Sequence, residues 1–281
     1  TVDGSTTANT KITKKITAGP TFSTNSSTGL KEIKYTLELS NWEQAEGQTM
    51  APLDYSGTTK ITMAAGIVTD QYTNKSKEQT LTLGHIDVIK PRIKKVSSTR
   101  NTSSKTETIV FNVIDKYLDT SDAVALSEIT VKIDGETIPV SASSETGKLK
   151  GTLTRVTAND VQATVNGTSQ TVLQQYQLVL SNFEKSRTTI DSARNFEDWS
   201  GTVSVEIAAG AVKDKTSGSS VNKNDKTTIT GDFVDYIQPK VTYKYTSTDI
   251  NYGTKTFTMT FDITDKYYNT DTVITTANLA N

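Results

Sequence analysis

Hydrophobic and polar residues alternate with a period of two along most of this chain. The alternation runs over short stretches, and clusters of Asn, Ser, Gly and Asp interrupt it, as at 72–77 and 217–224. This pattern predicts β-strands that each bury one face. Many short strands separated by turns predict an all-β, antiparallel sandwich architecture. The helical elements that the sequence predicts are short turns near 121–126 and 158–161. The predicted strands are 34–39, 59–63, 80–86, 107–114, 128–133, 175–180, 202–207, 227–234 and 255–263.

The chain also repeats itself. The segment 85–93, His-Ile-Asp-Val-Ile-Lys-Pro-Arg-Ile, returns at 233–241 as Phe-Val-Asp-Tyr-Ile-Gln-Pro-Lys-Val. Its prolines, Pro91 and Pro239, are 148 positions apart (239 minus 91). Self-similarity at a fixed period indicates an array of like modules. The other matched segments are 2–4 with 133–135, 35–42 with 176–183, 54–58 with 198–202, 64–70 with 208–214, and 111–117 with 261–267.

The repeat divides the chain into three parts. Residues 1–89 (the N-terminal segment) form the rear of one module, residues 90–237 (the central unit) form a complete module, and residues 238–281 (the C-terminal segment) form the front of a third. The chain is then either one stretch of a longer polypeptide or one of many chains that complete each other head to tail by donating strands. We favour the first interpretation, because open assembly cannot be read from one chain. In both cases the C-terminal segment cannot close a core alone.

The two prolines mark the joints between these parts. Proline disfavours the helical conformation of the residue before it, so Lys90 and Gln238 are expected to be extended. Glycine and serine, which would make a linker flexible, are missing from both joints. The sequence therefore predicts short, stiff junctions at Pro91 and Pro239.

Composition narrows the function classes. The chain has no cysteine, which excludes disulfides, thiolate catalysis and cysteine zinc sites. Its formal net charge is −1, so no basic footprint indicates nucleic acid or an anionic membrane as partner. No run approaches the roughly 20 apolar residues of a membrane-spanning helix.

Two groups of segments resemble bacterial immunoglobulin-like (Ig-like) repeats. The order Tyr-Thr-Leu-Glu-Leu-Ser at 35–40, then Ala-Ala-Gly-Ile-Val-Thr-Asp at 64–70 with Asn74 and Ser76, is similar to the end of such a module. Residues 111–115 and 261–265 resemble the family's second strand. The resemblance implies tandem Ig-like sandwiches in an extended array, in extracellular stalks, fibres or adhesins of the bacterial cell surface. The implied partners are neighbouring Ig-like modules of the same or adjacent chains.

Nothing in the sequence indicates an enzyme. The only histidine, His85, corresponds to Phe233 in the other copy, which favours a packing role over acid–base chemistry. We therefore predict a non-catalytic structural repeat. The alternative is an adhesin that binds a host glycan or protein through exposed loops, and the unmatched segments 150–169 and 184–195 would mark it. The aromatic residues at matched positions are either a sugar-stacking platform or, as we favour, core anchors; they are Trp42, Tyr55, Phe183 and Trp199.

In an Ig-like sandwich, the loop between the second and third strands and the last hairpin lie at the pole that receives the preceding linker, so several aspartates are expected to gather at each joint, with one asparagine at the second. Calcium takes six to eight oxygen ligands, which such loops can supply. The competing interpretation is that each Asp caps a turn by accepting a bond from a nearby amide. The candidates are Asp87, Asp115, Asp119, Asp122 and Asp214 at the first joint, and Asp235, Asp265, Asn269 and Asp271 at the second.

Overall fold

The structure is a computed structural model that describes residues 1–2, 10–42, 55–145, 147–165, 167–183, 199–215, 221–236, 238–244, 250–271 and 274–275. Within these ranges β-strand is the main secondary structure, as the alternation predicts, and turns and irregular segments connect the strands. The helical residues among them lie in two short 3-10 turns, Leu126–Glu128 and Thr157–Asn159. No helix in the described ranges is long and apolar enough to cross a membrane.

The N-terminal segment contains two antiparallel pairs of strands. Strand β1 (Thr13–Thr24) pairs with β2 (Lys31–Ser40), and β3 (Gly57–Met63) pairs with β4 (Gln79–Ile86). The first residues of the chain join β3, because Val2 bridges Thr59. A small core forms between the two pairs. Its buried members are Ile12, Trp42 and Ile89.

The central unit is a sandwich of two sheets. The first sheet has the order β5-β6-β12-β10-β9, with β11 also paired to β12, and the second has the order β14-β13-β7-β8. The pairing is antiparallel except for a short parallel contact between β9 and β10. The strands are β5 (Arg92–Asn101), β6 (Thr106–Ile114), β7 (Ile129–Ile133), β8 (Glu136–Ile138), β9 (Val140–Ser141), β10 (Leu149–Arg155), β11 (Val161–Val165), β12 (Thr168–Ser181), β13 (Gly201–Ile207) and β14 (Thr227–Val234).

Alternating residues of both sheets fill one core between them. On β13, Val203, Val205 and Ile207 are fully buried while the residues between them are at most half-buried. On the facing sheet, Phe111 of β6 stacks on Tyr176 of β12 with ring centroids 5.4 Å apart. The period of two therefore places each apolar side chain toward the facing sheet.

The C-terminal segment contains four short strands. These are β15 (Lys240–Lys244), β16 (Ile250–Asn251), β17 (Thr256–Phe257) and β18 (Thr260–Thr264). Strand β15 pairs with β18, and β16 pairs with β17. The sequence predicted one strand over 255–263, whereas the structure divides it between β17 and β18.

The sequence repeat is also a repeat of strand register. Val241 pairs with Ile263 as Ile93 pairs with Val113, so the β15–β18 hairpin copies β5–β6. In the same way β3–β4 copies β13–β14. The copied pairs there are Gly57 with Ile86, Thr58 with His85 and Ile61 with Leu81, against Gly201 with Val234, Thr202 with Phe233 and Val205 with Ile229.

Several strands have no strong alternation and were not predicted. Strand β1 carries charged residues, Gly19 and Pro20, and its register shifts beside them. Strand β5 lies at a sheet edge and is mostly polar, and β10 contains Gly151. The helical turns lie near the two predicted positions but begin and end at different residues. Pairing with a neighbouring strand decides these elements more than their own residues do.

Candidate functional site at the two junctions

The first junction joins the N-terminal segment to the central unit. Lys116 Nζ, just after β6, donates a hydrogen bond to the Ser56 carbonyl oxygen. The His85 ring packs edge-on against Tyr117, with centroids 4.4 Å apart and planes at 86°. Asn222 Nδ2 donates to the Asp87 carbonyl oxygen at 3.2 Å. The two parts are therefore fixed by side-chain contacts as well as by the chain itself.

The second junction joins the central unit to the C-terminal segment. Lys266 Nζ donates to the Ser200 carbonyl oxygen, and Tyr267 packs edge-on against Phe233 with centroids 4.9 Å apart. The Tyr267 hydroxyl also donates to Asp134 Oδ2 at 2.9 Å. Asp134 Oδ1 also accepts the Thr202 amide. This bond lowers the pKa of Asp134 most, and the bond from Tyr267 lowers it further.

The two junctions use equivalent residues in equivalent contacts. Each has a lysine bonded to a serine carbonyl and a tyrosine that packs edge-on against an aromatic ring. Each serine hydroxyl also donates to an aspartate, Ser56 to Asp87 at 2.9 Å and Ser200 to Asp235 at 3.2 Å. The same joint is therefore built twice within one chain.

A glycine after each serine makes this geometry possible. Gly57 and Gly201 have φ angles of 145° and 146°, which side-chain-bearing residues rarely adopt. A Cβ atom on Gly201 would lie 2.3 Å from Asp134 Oδ2. The backbone conformation thus favours glycine at both positions, and at Gly201 the close approach of Asp134 also excludes a side chain.

The two junction prolines have different surroundings. Pro91 is buried, whereas Pro239 is exposed to solvent. The exposed ion pair of Lys90 with Asp225, at 2.6 Å, lies beside Pro91. The predicted stiffness of the first junction therefore has packing as a second source, in addition to the fixed φ angle of proline.

Two of the predicted calcium ligands meet at the first junction. Asp87 is half-buried and Asp214 is only 2% exposed. The Oδ2 atom of each is buried and accepts no hydrogen bond from the described residues. Burial raises the pKa of both carboxyl groups, and the charge of Asp214 raises that of Asp87 further. The two carboxyl groups are close enough that one of them, when protonated, can donate a hydrogen bond to the other.

Four of the other predicted ligands accept hydrogen bonds in turns. In Asp115, Asp119, Asp265 and Asn269 a side-chain oxygen accepts the backbone amide two residues later, as Asp does when it caps a turn. Asp119 Oδ1 accepts the hydroxyl and the backbone amide of Ser121, and these bonds lower the pKa of Asp119. The Asp122 Oδ2 atom lies 3.9 Å from Lys213 Nζ. Within the described ranges, no three carboxylate or histidine side chains converge as a metal site. The backbone amides of Tyr117, Tyr267 and Asp271 donate to Asp115, Asp265 and Asn269 respectively, whereas Asp235 accepts the hydroxyl of the distant Ser200.

The calcium hypothesis is thereby narrowed to Asp87 and Asp214, with carbonyl oxygens completing the shell. It predicts that a chelator lowers the melting temperature of the wild-type protein at pH 7.5 and leaves the melting temperature of Asp214→Asn unchanged. Calcium at 100 times its dissociation constant would contribute about 2.7 kcal/mol. Differential scanning calorimetry with calcium and with chelator measures this. Equal melting temperatures in the wild type would dismiss the ion.

The matched aromatic residues are core anchors rather than a sugar platform. Phe183 and Trp199 are buried in the central core, and Trp42 is buried in the small N-terminal core with Tyr55 packed against it. His85 has the packing role that its exchange for Phe233 predicts. Large aromatics at strand ends thus stabilise each unit from inside.

One of the two segments proposed as adhesin loops is part of the sandwich. Strand β11, inside 150–169, pairs with β12 and buries Val165 beside Val172. These valines pack against Tyr117, the tyrosine of the first junction. Strand β11 therefore contributes to the packing around Tyr117 at the first junction. The other segment, 184–195, lies outside the described residues.

Sequence reasoning did not assign roles to the residues that hold the junctions. These are Lys116, Tyr117, Asp134, Asn222, Lys266 and Tyr267. The available signal was the repeated Asp-Lys-Tyr at 115–117 and 265–267, together with the match of 133–135 to 2–4. Their partners are distant in the chain, so the contacts could not be read from spacing.

Comparisons of the chain with protein-family models, with curated proteins and with solved structures give no significant match. What the junctions do must therefore be inferred from their own geometry.

Proposed function

We propose that this protein is a non-catalytic structural repeat of a bacterial cell-surface stalk, fibre or filament. The observation that carries the proposal is the duplicated junction, with the same lysine–serine bond and the same edge-on aromatic pair at both ends of the central unit. A protein that must hold successive units at one fixed angle needs the same joint each time. A ligand-binding module has no such requirement.

The strand order supports an Ig-like module for the central unit. Taking β5, β6, β7, β10, β12, β13 and β14 as strands A to G, the sheets read A-B-E-D and G-F-C, with β9 added beside D, β11 beside E and β8 beside C. The seven lettered strands match the constant-type Ig sandwich, in which the first sheet contains A, B, E and D and the second contains C, F and G. The extracellular location and the bacterial origin come with this resemblance and are part of the proposal.

A stiff first junction makes a testable prediction about Pro91. Pro91→Gly releases the fixed φ angle and adds freedom to the unfolded chain, which costs about 0.4–1 kcal/mol of stability. We expect the distribution of interatomic distances from small-angle X-ray scattering to broaden, while the circular dichroism spectrum of the strands stays unchanged. Pro239→Gly is the matched variant at the solvent-exposed position, and it should broaden the distribution less. An unchanged distribution in Pro91→Gly would count against the proline as the stiffening element.

A further inference from the structure

The two ends of the chain leave complementary strand surfaces open. Within the described residues, β2 hydrogen-bonds only to β1, and β18 hydrogen-bonds only to β15. Their counterparts in the central unit, β12 and β6, pair with each other along eight residue pairs. The free edge of β2 is thus the edge that β18-like strands cover in a complete unit.

The faces beside these edges are apolar and exposed. Tyr35 and Leu37 of β2 are 53% and 40% exposed, whereas the matched Tyr176 and Leu178 are 1% and 0% exposed. Phe261 of β18 is 38% exposed, whereas the matched Phe111 is fully buried. Between β1–β2 and β3–β4 a groove of about 160 Å³ stays open, lined by Ile12, Leu39 and Ile61 among others. Large exposed apolar patches of this kind mark association surfaces.

The two open surfaces belong to segments that attach to the central unit at different places. The N-terminal segment contacts the loop that follows β13, through Asn222, and the C-terminal segment contacts Ser200, directly before β13. The seven residues of β13 separate these points, which is roughly 20 Å at 3.3 Å per residue. The two segments therefore attach to the central unit at opposite ends of β13.

We propose that a second copy of this chain supplies the missing strands, so that β15–β18 of one molecule complete the sandwich begun by β1–β4 of the next. The central unit gives the register. Tyr176 pairs with Phe111 and Leu178 with Ile109, so Tyr35 pairs with Phe261 of the second copy and Leu37 with Met259. Strand addition at a free edge gains main-chain hydrogen bonds and buries the alternate side chains.

Two residue pairs of the central unit have changed in both terminal segments in compatible ways, and this favours a second copy as the occupant. In the central unit, Gln175 Nε2 donates to Asn112 Oδ1 at 3.0 Å, a neutral pair across β12 and β6. The equivalent positions are Lys34 and Asp262. The proposed register brings these opposite charges together, so the two ends of one sequence differ from the central pair in a mutually compatible way.

The second matched change lies in the core. Glu107 is fully buried, and its Oε1 accepts the Asp232 amide beside Gly231, where a Cβ atom would come within 3.0 Å of that oxygen. The equivalent positions are Phe257 and Leu83, both apolar and exposed. A polar group against a glycine has become an apolar pair, which a shared core between copies would bury.

The contact is heterologous, since two different surfaces meet, and it does not close on two molecules. Such contacts produce rings or open filaments. The inference extends the proposed structural role but does not depend on it, because a monomeric chain would overturn the inference and leave the duplicated junctions intact.

The test is self-association of the 281-residue protein. Sedimentation velocity over a 100-fold concentration range is expected to show growing oligomers. Leu37→Asp and Phe261→Asp each block one surface and should be monomeric alone, yet an equal mixture should form heterodimers and nothing larger, because one good surface of each kind remains. A wild-type protein that stays monomeric at the highest concentration overturns the proposal and favours a flanking module of a longer polypeptide as occupant.

A charge reversal avoids variants that fail to fold, since Lys34 and Asp262 are both exposed. Lys34→Glu is expected to weaken association about 5- to 10-fold, because it replaces a cross-strand attraction by a repulsion. Adding Asp262→Lys in the same chain should return the dissociation constant to within about 2-fold of wild type. Equal weakening in the single and double variants would exclude the proposed register.

Discussion

Phe111→Ala is expected to destabilise the central unit by about 3–5 kcal/mol. The ring is fully buried, stacks on Tyr176 and lies in the middle of the core between the two sheets. Its removal leaves a cavity that neighbouring strands, fixed on both sides by pairing, can fill only in part. Urea unfolding followed by Trp199 fluorescence measures the loss.

The chain offers a clean reporter and a matched control for this measurement. It has two tryptophans, and Trp42 corresponds to Phe183, so Trp42→Phe leaves Trp199 as the only one. In that background, Phe261→Ala is the control, because it removes the equivalent ring where the ring is exposed to solvent. At concentrations where the protein is monomeric, Phe261→Ala should change the unfolding free energy of the central unit by less than about 0.5 kcal/mol. Equal losses in the two variants would mean that residues 90–237 do not form a self-contained core.

Asp214→Asn is expected to stabilise the first junction at pH 7 by about 1–2 kcal/mol, measured in chelator. The wild-type carboxylate is buried beside Asp87 with an oxygen that has no donor among the described residues. The amide keeps the oxygen that accepts the Asn222 amide and offers a hydrogen to Asp87. Thermal unfolding monitored through Trp42 in a Trp199→Phe background reports on this side of the junction.

The pH dependence gives the sign of the effect. Burial raises the pKa of Asp87 and Asp214 above the ordinary 3.8, so these groups favour the folded state below that pH, and the benefit is lost as pH rises through the raised pKa. Nearby His85 opposes the shift at Asp87. The melting temperature of Asp214→Asn relative to wild type should therefore increase from pH 4 to pH 7.

Asp119→Asn is the control with the opposite sign. Its bonds from Ser121 lower the pKa of Asp119, so its contribution is present above pH 3.8 and is lost as pH falls through the lowered pKa. That variant should be less stable than wild type at pH 7, and the difference should shrink toward acid pH. Two variants with the same pH trend would contradict the assignment of the shifts.

The pattern of the sequence was sufficient for the strands that bury one face. Strands β6, β7, β13 and β14 lie within one residue of their predicted bounds, because their alternate residues must meet a facing sheet. The repeat paired the segments that share strand register, and the exchange of His85 for Phe233 predicted an aromatic packing position. These features depend on residues close together in the chain, or on like residues at equivalent positions.

Only the tertiary structure decided which distant residues meet. Lys116 reaches Ser56, and Asp87 meets Asp214, across long stretches of chain that no local pattern specifies. The same holds for segment 150–169, whose strand β11 is weakly patterned and becomes a strand because β12 extends beside it. The sequence alone could place Tyr35 and Phe261 on strands. That both are exposed, on edges whose counterparts in the central unit are paired, became evident only when the sheets were formed, because burial is a property of the facing surface and not of the residue.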